Sequence, residues 1–184
     1  MITLLKQFFP VAIASTLALG IGASATNSPS AKAVEFSAGT SFGAPFQLSG
    51  AKTTQGSVRF RGATYYFTFD IPKISTQPLH KVTIKQQTGA FIEIDRQRIN
   101  AYLGKDRDQK IGLSDVKIDN DAQEVSVTFE PPIQPGQTVT VGLGPFENPS
   151  IGGIYQFIVK AYPFGPQPQE QFVGFGPLRF FETR

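Results

Sequence analysis

The sequence predicts an all-β chain whose strands form two antiparallel sheets packed face to face, and three observations carry that expectation. Apolar side chains recur at every second position, with Tyr65, Phe67, Phe69 and Ile71 alternating against Tyr66, Thr68 and Asp70, the period of a strand with one buried face. Turn chemistry separates such segments: Asp119, Asn120 and Asp121 precede one strand, while Pro131, Pro132, Pro135 and Gly136 precede the next. Each segment also keeps a polar face. Many short strands of this kind, about nine in all, point to an immunoglobulin-like antiparallel β-sandwich, with a closed barrel as the alternative.

Residues 1–33 read as a cleaved signal peptide and residues 34–184 as one domain, a size that buries a real core. Met1 to Lys6 gives a positive start, Phe8 to Ile21 an apolar stretch, and Ala31, Lys32, Ala33 an A-x-A cleavage site before Val34. The apolar stretch is short for a membrane span, and Ser, Thr, Asn and Pro follow it. Ala23, Ser24, Ala25 forms a second A-x-A site.

In chain order, strands are expected at Val58 and Phe60, at Tyr65–Ile71, at Val82 and Ile84, and at Phe91–Asp95. Asp95 to Gly112 shows no alternation and carries Arg96, Arg98, Lys105, Arg107 and Lys110, so it reads as a long loop with one helical turn. Leu113–Asp119, Val125–Phe129 and Val139–Leu143 follow, and their short connections predict a three-stranded meander. Tyr155–Val159 and Pro177–Phe181 complete the set. Gly recurs with Phe at Phe42–Phe46, Phe164–Gly165 and Phe172–Gly176, which reads as aromatic core plus turns. Strands of five to eight residues are short for an outer-membrane barrel.

Charge removes some functions. The pI of about 9.2 invites a nucleic-acid reading. Lys6 and Lys32 fall in the leader and all 14 acidic residues follow it, so residues 34–184 carry fifteen basic and fourteen acidic side chains, a net charge of +1. That is no footprint for a phosphate backbone. The absence of cysteine leaves stability to packing alone and gives no thiol for a lipid anchor.

Four strings carry a resemblance: RGATYYFTFDIP at 61–72, VTFEPPIQPGQTVTVGL at 127–143, NPSIGGIYQFIVKAYPFG at 148–165, and QFVGFGPLRFF at 171–181. In order along residues 34–184, they resemble a family of secreted cyanobacterial proteins catalogued only as a domain of unknown function. The resemblance implies export to the periplasm, the cell exterior or the thylakoid lumen, and it implies no activity.

Candidate chemistry is sparse. The one histidine, His80, lies beside the Val82–Ile84 strand at an exposed or edge position, and no G-x-S-x-G elbow accompanies it. One histidine without cysteine falls short of a zinc ligand set. Glu93 and Asp95 share a strand face and, with Asp70, are the carboxylates for an enzyme acting on an envelope polymer. Asp119, Asn120, Asp121 and Glu124 offer oxygens to calcium, but the spacing is not that of an EF-hand and reads as a turn. Tyr66, Tyr102 and Tyr162 are the candidate platforms for carbohydrate.

No catalytic, cofactor-binding or metal-ligating residue is assigned, and no cofactor is expected. The expected role is a non-catalytic binding or structural module of the envelope or exterior. Its partner is a protein or envelope polymer rather than nucleic acid, and its best surface is the charged segment from Arg96 to Lys110. Intact mass of the exported protein is expected to match a chain beginning at Val34; a start at Thr26 would mark the earlier cleavage site, and a retained Met1 would sink the leader assignment.

Overall fold

Alternate burial is realised in ten strands among the residues that the computed structural model describes, 39–94, 98–107 and 109–182. The leader, Asp95, Arg96 and Asp108 lie outside them. The strands are β1 (Gln47–Thr53), β2 (Arg61–Asp70), β3 (Leu79–Gln86), β4 (Ile99–Leu103), β5 (Gln109–Ile111), β6 (Leu113–Asp119), β7 (Glu124–Ile133), β8 (Thr138–Glu147), β9 (Gly153–Pro163) and β10 (Gln171–Phe180). Sheet one has the order β1-β2-β8-β4-β5 and sheet two β10-β9-β3-β7-β6, antiparallel throughout. No described helix is long and apolar enough to cross a membrane.

The predicted inward face of β2, Tyr65, Phe67 and Phe69, is buried in full, as is Ile71 just beyond its end. It meets Val82 and Ile84 of β3, Val125, Val127 and Phe129 of β7, and Tyr155, Phe157 and Val159 of β9, in one continuous core. Phe67 and Phe157 join the two sheets edge to face at 5.2 Å, and Phe180 meets both Tyr65 at 5.6 Å and Tyr155 at 5.0 Å. Each fully buried Phe contributes about 2–3 kcal/mol, against about 1 kcal/mol or less for an exposed ion pair, so packing decides this fold.

Five expectations need correction. Val58 and Phe60 lie in the turn between β1 and β2 rather than in a strand, because Arg59 between them takes a left-handed backbone conformation, φ 55°, and Phe60 is exposed. The segment from Asp95 to Gly112 is not a loop, because residues 99–111 form the β4–β5 hairpin. Ile99 and Ala101 are buried between Asn100 and Tyr102, but the charged flanks and a three-residue partner strand hide so short an alternation. Phe91–Ile94 is extended without being a strand. Its backbone is satisfied by side-chain amides: Gln123 accepts from Ile92 N at 2.9 Å and donates to Ile92 O at 3.1 Å, while Asn120 does the same for Ile94 at 3.2 and 3.4 Å.

The meander also fails, because β6 pairs with β7 but β8 lies in the other sheet, between β2 and β4. Pro131 and Pro132 sit inside β7 and supply no N–H to a ladder. The turn beyond them is caught by the end of β2, with Gly136 N donating to Ile71 O at 3.0 Å and Ile71 N to Gln137 O at 2.9 Å. Finally, β2, β7, β8 and β10 have ten residues and β9 eleven, so strand length does not separate this fold from a membrane barrel. The apolar interior shared by two sheets does, since such barrels keep a polar lumen.

At the sandwich margins the sheets are tied together. Gly112 alone carries the chain from β5 to β6, and a Cβ there would stand 2.5 Å from Glu130 O. At the other margin β10 packs on β1, and beyond their ends Val58 N donates to Phe181 O at 3.0 Å and Phe181 N to Gly56 O at 2.9 Å.

The string beginning at Asn148 has a structural explanation. Its buried amide accepts from Tyr65 Oη at 2.9 Å and donates to Gln55 O at 2.8 Å and Ser57 O at 2.7 Å, tying the β8–β9 and β1–β2 connections to the core. Burial, with Tyr155 adding to it, pushes the Tyr65 phenol far above its usual range, so it remains a donor. Further along, Tyr155 Oη donates to Ile151 O at 2.9 Å. Asn148→Ala would orphan the buried Tyr65 hydroxyl and the half-buried Ser57 carbonyl, while Gln55 O keeps its bond from Thr53 Oγ1, and a loss of about 3 kcal/mol is expected. Thermal melts should fall by about 10 °C; a shift under about 2 °C would show that the network holds little.

Candidate functional site

The face of sheet one that points away from the core is built by the same alternation that fills it. Thr64, Tyr66 and Thr68 of β2 stand beside Gly144, Gly142 and Thr140 of β8, and beyond these lie Asn100 and Tyr102 of β4 and Lys110 of β5. Tyr66 and Asn100 flank Gly142, while Thr68 and Tyr102 flank Thr140. The two tyrosines therefore stand on either side of β8, diagonally offset, across two strand spacings or about 10 Å.

Between them Thr64, Tyr66, Asn100, Tyr102, Gly142 and Gly144 line a shallow depression of 210 Å³. Glycine makes that floor: a Cβ on Gly142 would lie 2.8 Å from Cε1 of Tyr66, so alanine there would lift the ring away. A second depression of 320 Å³ on the β1 side is lined by Ser49, Lys52, Thr68 and Lys105 among others.

The turn of the β4–β5 hairpin roofs part of this face. Thr140 Oγ1 donates to Gly104 O at 2.9 Å, which leaves its oxygen to accept from Thr68 Oγ1 at 3.0 Å. Both threonines are buried beneath the turn. Arg107 takes a left-handed backbone conformation, φ 63°, which costs a non-glycine residue about 1–2 kcal/mol. Its guanidinium lies 4.5 Å from the Tyr66 ring centre, within cation–π range.

At one end of the face Asp70 accepts from Ser49 Oγ and from Thr138 Oγ1. Desolvation raises its pKa, but these two hydrogen bonds and the charge of Lys105 outweigh it and hold the carboxyl below its ordinary value.

Other sequence candidates are dispersed. Tyr162 lies on sheet two, where Lys81 Nζ sits 3.9 Å over its ring and its hydroxyl donates to Glu170 at 3.0 Å, so it joins no platform with Tyr66 and Tyr102. Glu93 lines a 490 Å³ depression with Phe91, Arg98, Phe146 and Glu147 at the end of β8, whereas Asp70 pairs with Thr138 at its start. Ten residues of strand, about 30 Å, separate those ends, and no shared cleft forms from them. Asp95 lies outside the described residues.

His80 is half-buried on the central strand β3 rather than exposed or at an edge, with its ring 5.3 Å from Phe164. Its Nδ1 has no hydrogen-bond partner among the described residues, the position where a triad carboxylate would sit. Asp119 accepts from Ala122 N at 2.8 Å and Asn120 is committed to Ile94, so these oxygens build the β6–β7 turn. No group of three acidic or histidine side chains able to hold a metal occurs among the described residues. The Gly–Phe strings divide: Phe42 and Phe46 are buried, whereas Phe164, Phe172 and Phe175 are about half exposed.

Sequence reasoning named Tyr66, Tyr102 and the charged segment separately and missed that one surface unites them. The available signal was Gly142 and Gly144 inside a strand, since glycine there marks close approach by another group.

This chain is thus an antiparallel β-sandwich with one tyrosine-walled sheet face. It belongs to the family described as "Protein of unknown function (DUF2808)", which matches residues 39–180. No curated protein matches the sequence. Among solved structures it is similar to BslA, a bacterial hydrophobin, at 11% identity and TM-score 0.51, covering 79% of this chain and 99% of that one. It is also similar to the major pilin SpaD from Corynebacterium diphtheriae, at 12% identity and TM-score 0.48 over 72% of this chain, which spans about a third (34%) of SpaD. A collagen-binding domain from a Staphylococcus aureus adhesin matches at 10% identity and TM-score 0.42, over 77% of this chain and 99% of that one. These likenesses are of fold.

Asp70 yields a pH prediction. Its folded pKa is depressed, so its contribution is full above the unfolded value of about 3.9 and is lost as pH falls through the lower folded value. Melts from pH 6 to pH 2.5 should show wild type ahead of Asp70→Asn at the upper end and the two converging at the lower. A gap that stays constant with pH would refute the assignment.

Proposed function

We propose that this protein is exported, sheds residues 1–33 and acts as a non-catalytic binding module of the cell envelope or exterior, holding an extended partner across the outer face of sheet one. The observation that carries this reading is the contact of Arg107 with Tyr66, which fastens the charged hairpin to the tyrosine-walled face and makes one surface of the two. Three physical points support it. The face is rigid, because β8 at its centre is paired on both sides. Its glycine floor leaves room that ordinary side chains would fill. Its hydrogen-bonding groups and rings stand ready without ordering cost, which favours binding.

The reading is tested by placing a photocrosslinking residue at Tyr102, and separately at Ser126 on the outer face of sheet two, in cells exporting the full chain. Adducts are expected predominantly from position 102. Equal yields from the two faces, or a reversed ratio, would refute the choice of surface.

A further inference from the structure

The two broad faces of the sandwich treat charge differently. On sheet two three lysines are paired, Lys160 with Glu170 at 2.8 Å, Lys117 with Asp115 at 3.7 Å and Lys85 with Glu124 at 4.0 Å, while Lys81 lies over the Tyr162 ring and Arg179 has no ion pair among the described residues. On sheet one Lys52, Lys105, Arg107 and Lys110 are all exposed, and none forms an ion pair among the described residues. The described acids on that side are Asp70, already bound by Ser49 and Thr138, and Asp106 in the turn. Asp108, outside the described residues, follows Arg107 in the same turn, so by sequence four positive groups stand against three acids on this side.

These cations are also placed. Arg107 lies over Tyr66, and Lys110 is the cross-strand partner of Tyr102, so a positive group accompanies each wall of the depression. Arg107 covers the Tyr66 ring, which leaves Tyr102 beside Lys110 as the open platform: a sugar ring that carries an acid would pack its C–H face on Tyr102 while its carboxylate meets Lys110 or the Arg107 guanidinium. An acidic peptide suits the face less well. Extended peptides gain affinity by adding a strand at a sheet edge, and at this depression the main chain of β8 is already paired with β2 and β4.

We infer that the partner held at this face is an acidic polysaccharide. The inference rests on the binding-face reading above and adds the chemistry of the ligand. The exported protein is run in native gels containing polygalacturonate, neutral dextran or polyglutamate at low salt. Retardation by polygalacturonate is expected, weakened at least 10-fold by Arg107→Ala and by the paired change Lys105→Gln with Lys110→Gln. The opposite-face control, Lys85→Gln with Lys117→Gln, should change it less than two-fold. The lysine variants touch no buried group, so they test the inference even if Arg107→Ala disturbs the turn.

No retardation by polygalacturonate overturns the inference, as does equal retardation by polyglutamate, which would mean charge alone. Dextran binding that requires Tyr66 and Tyr102 would overturn the acidic ligand while leaving the binding face in place. Crosslinks that fail to favour position 102 would remove the binding face itself.

Discussion

Without cysteine, everything here depends on burying one side chain in two along β2, β3, β7, β8 and β9 between the sheets. Phe67 against Phe157 is the centre of that contact, and Phe69, Phe129 and the valines of β7 and β8 extend it. Because the inward residues are committed to this layer, the outward residues of the same strands are free to differ. Tyr66 and Tyr102 stand where they do because Tyr65, Phe67 and Ala101 must point the other way. The core thus dictates the geometry of the candidate site.

Much of this was legible in the sequence, for a physical reason. A two-residue period records only which side of a strand is dry, and it identified the buried faces of β2, β7, β8 and β9. It carries no information about which strand lies beside which. Placing β8 next to β2 depends on a turn caught by Ile71, and two prolines that read as a simple hairpin connection lie inside β7. The β4–β5 hairpin escaped because its alternation spans too few residues to stand out against the surrounding lysines and aspartates. Phe91–Ile94 was misread for the opposite reason: its pattern is that of a strand, but its partners are the side chains of Asn120 and Gln123.

The candidate site was legible in parts. Alternation places Tyr66 outward and the charges mark residues 96–110 as unusual, but the contact that joins them needs Arg107 in a backbone conformation no composition reveals. The difference between the faces was equally hidden. A near-neutral total conceals one surface on which three lysines have carboxylate partners and another whose cations have none among the described residues, and only the fold sorts them.

The closed margins have a consequence for how copies of this chain can meet. A single glycine turns the corner between β5 and β6, and β10 lies against β1 on the opposite side. A sandwich with loose borders can recruit like molecules, stacking them strand upon strand into fibrils. Here one border is a covalent corner, the other is covered by its counterpart, and β6 carries Asp115, Lys117 and Asp119 outward. Each border thus opposes the strand-on-strand stacking of copies that an open, apolar edge would invite.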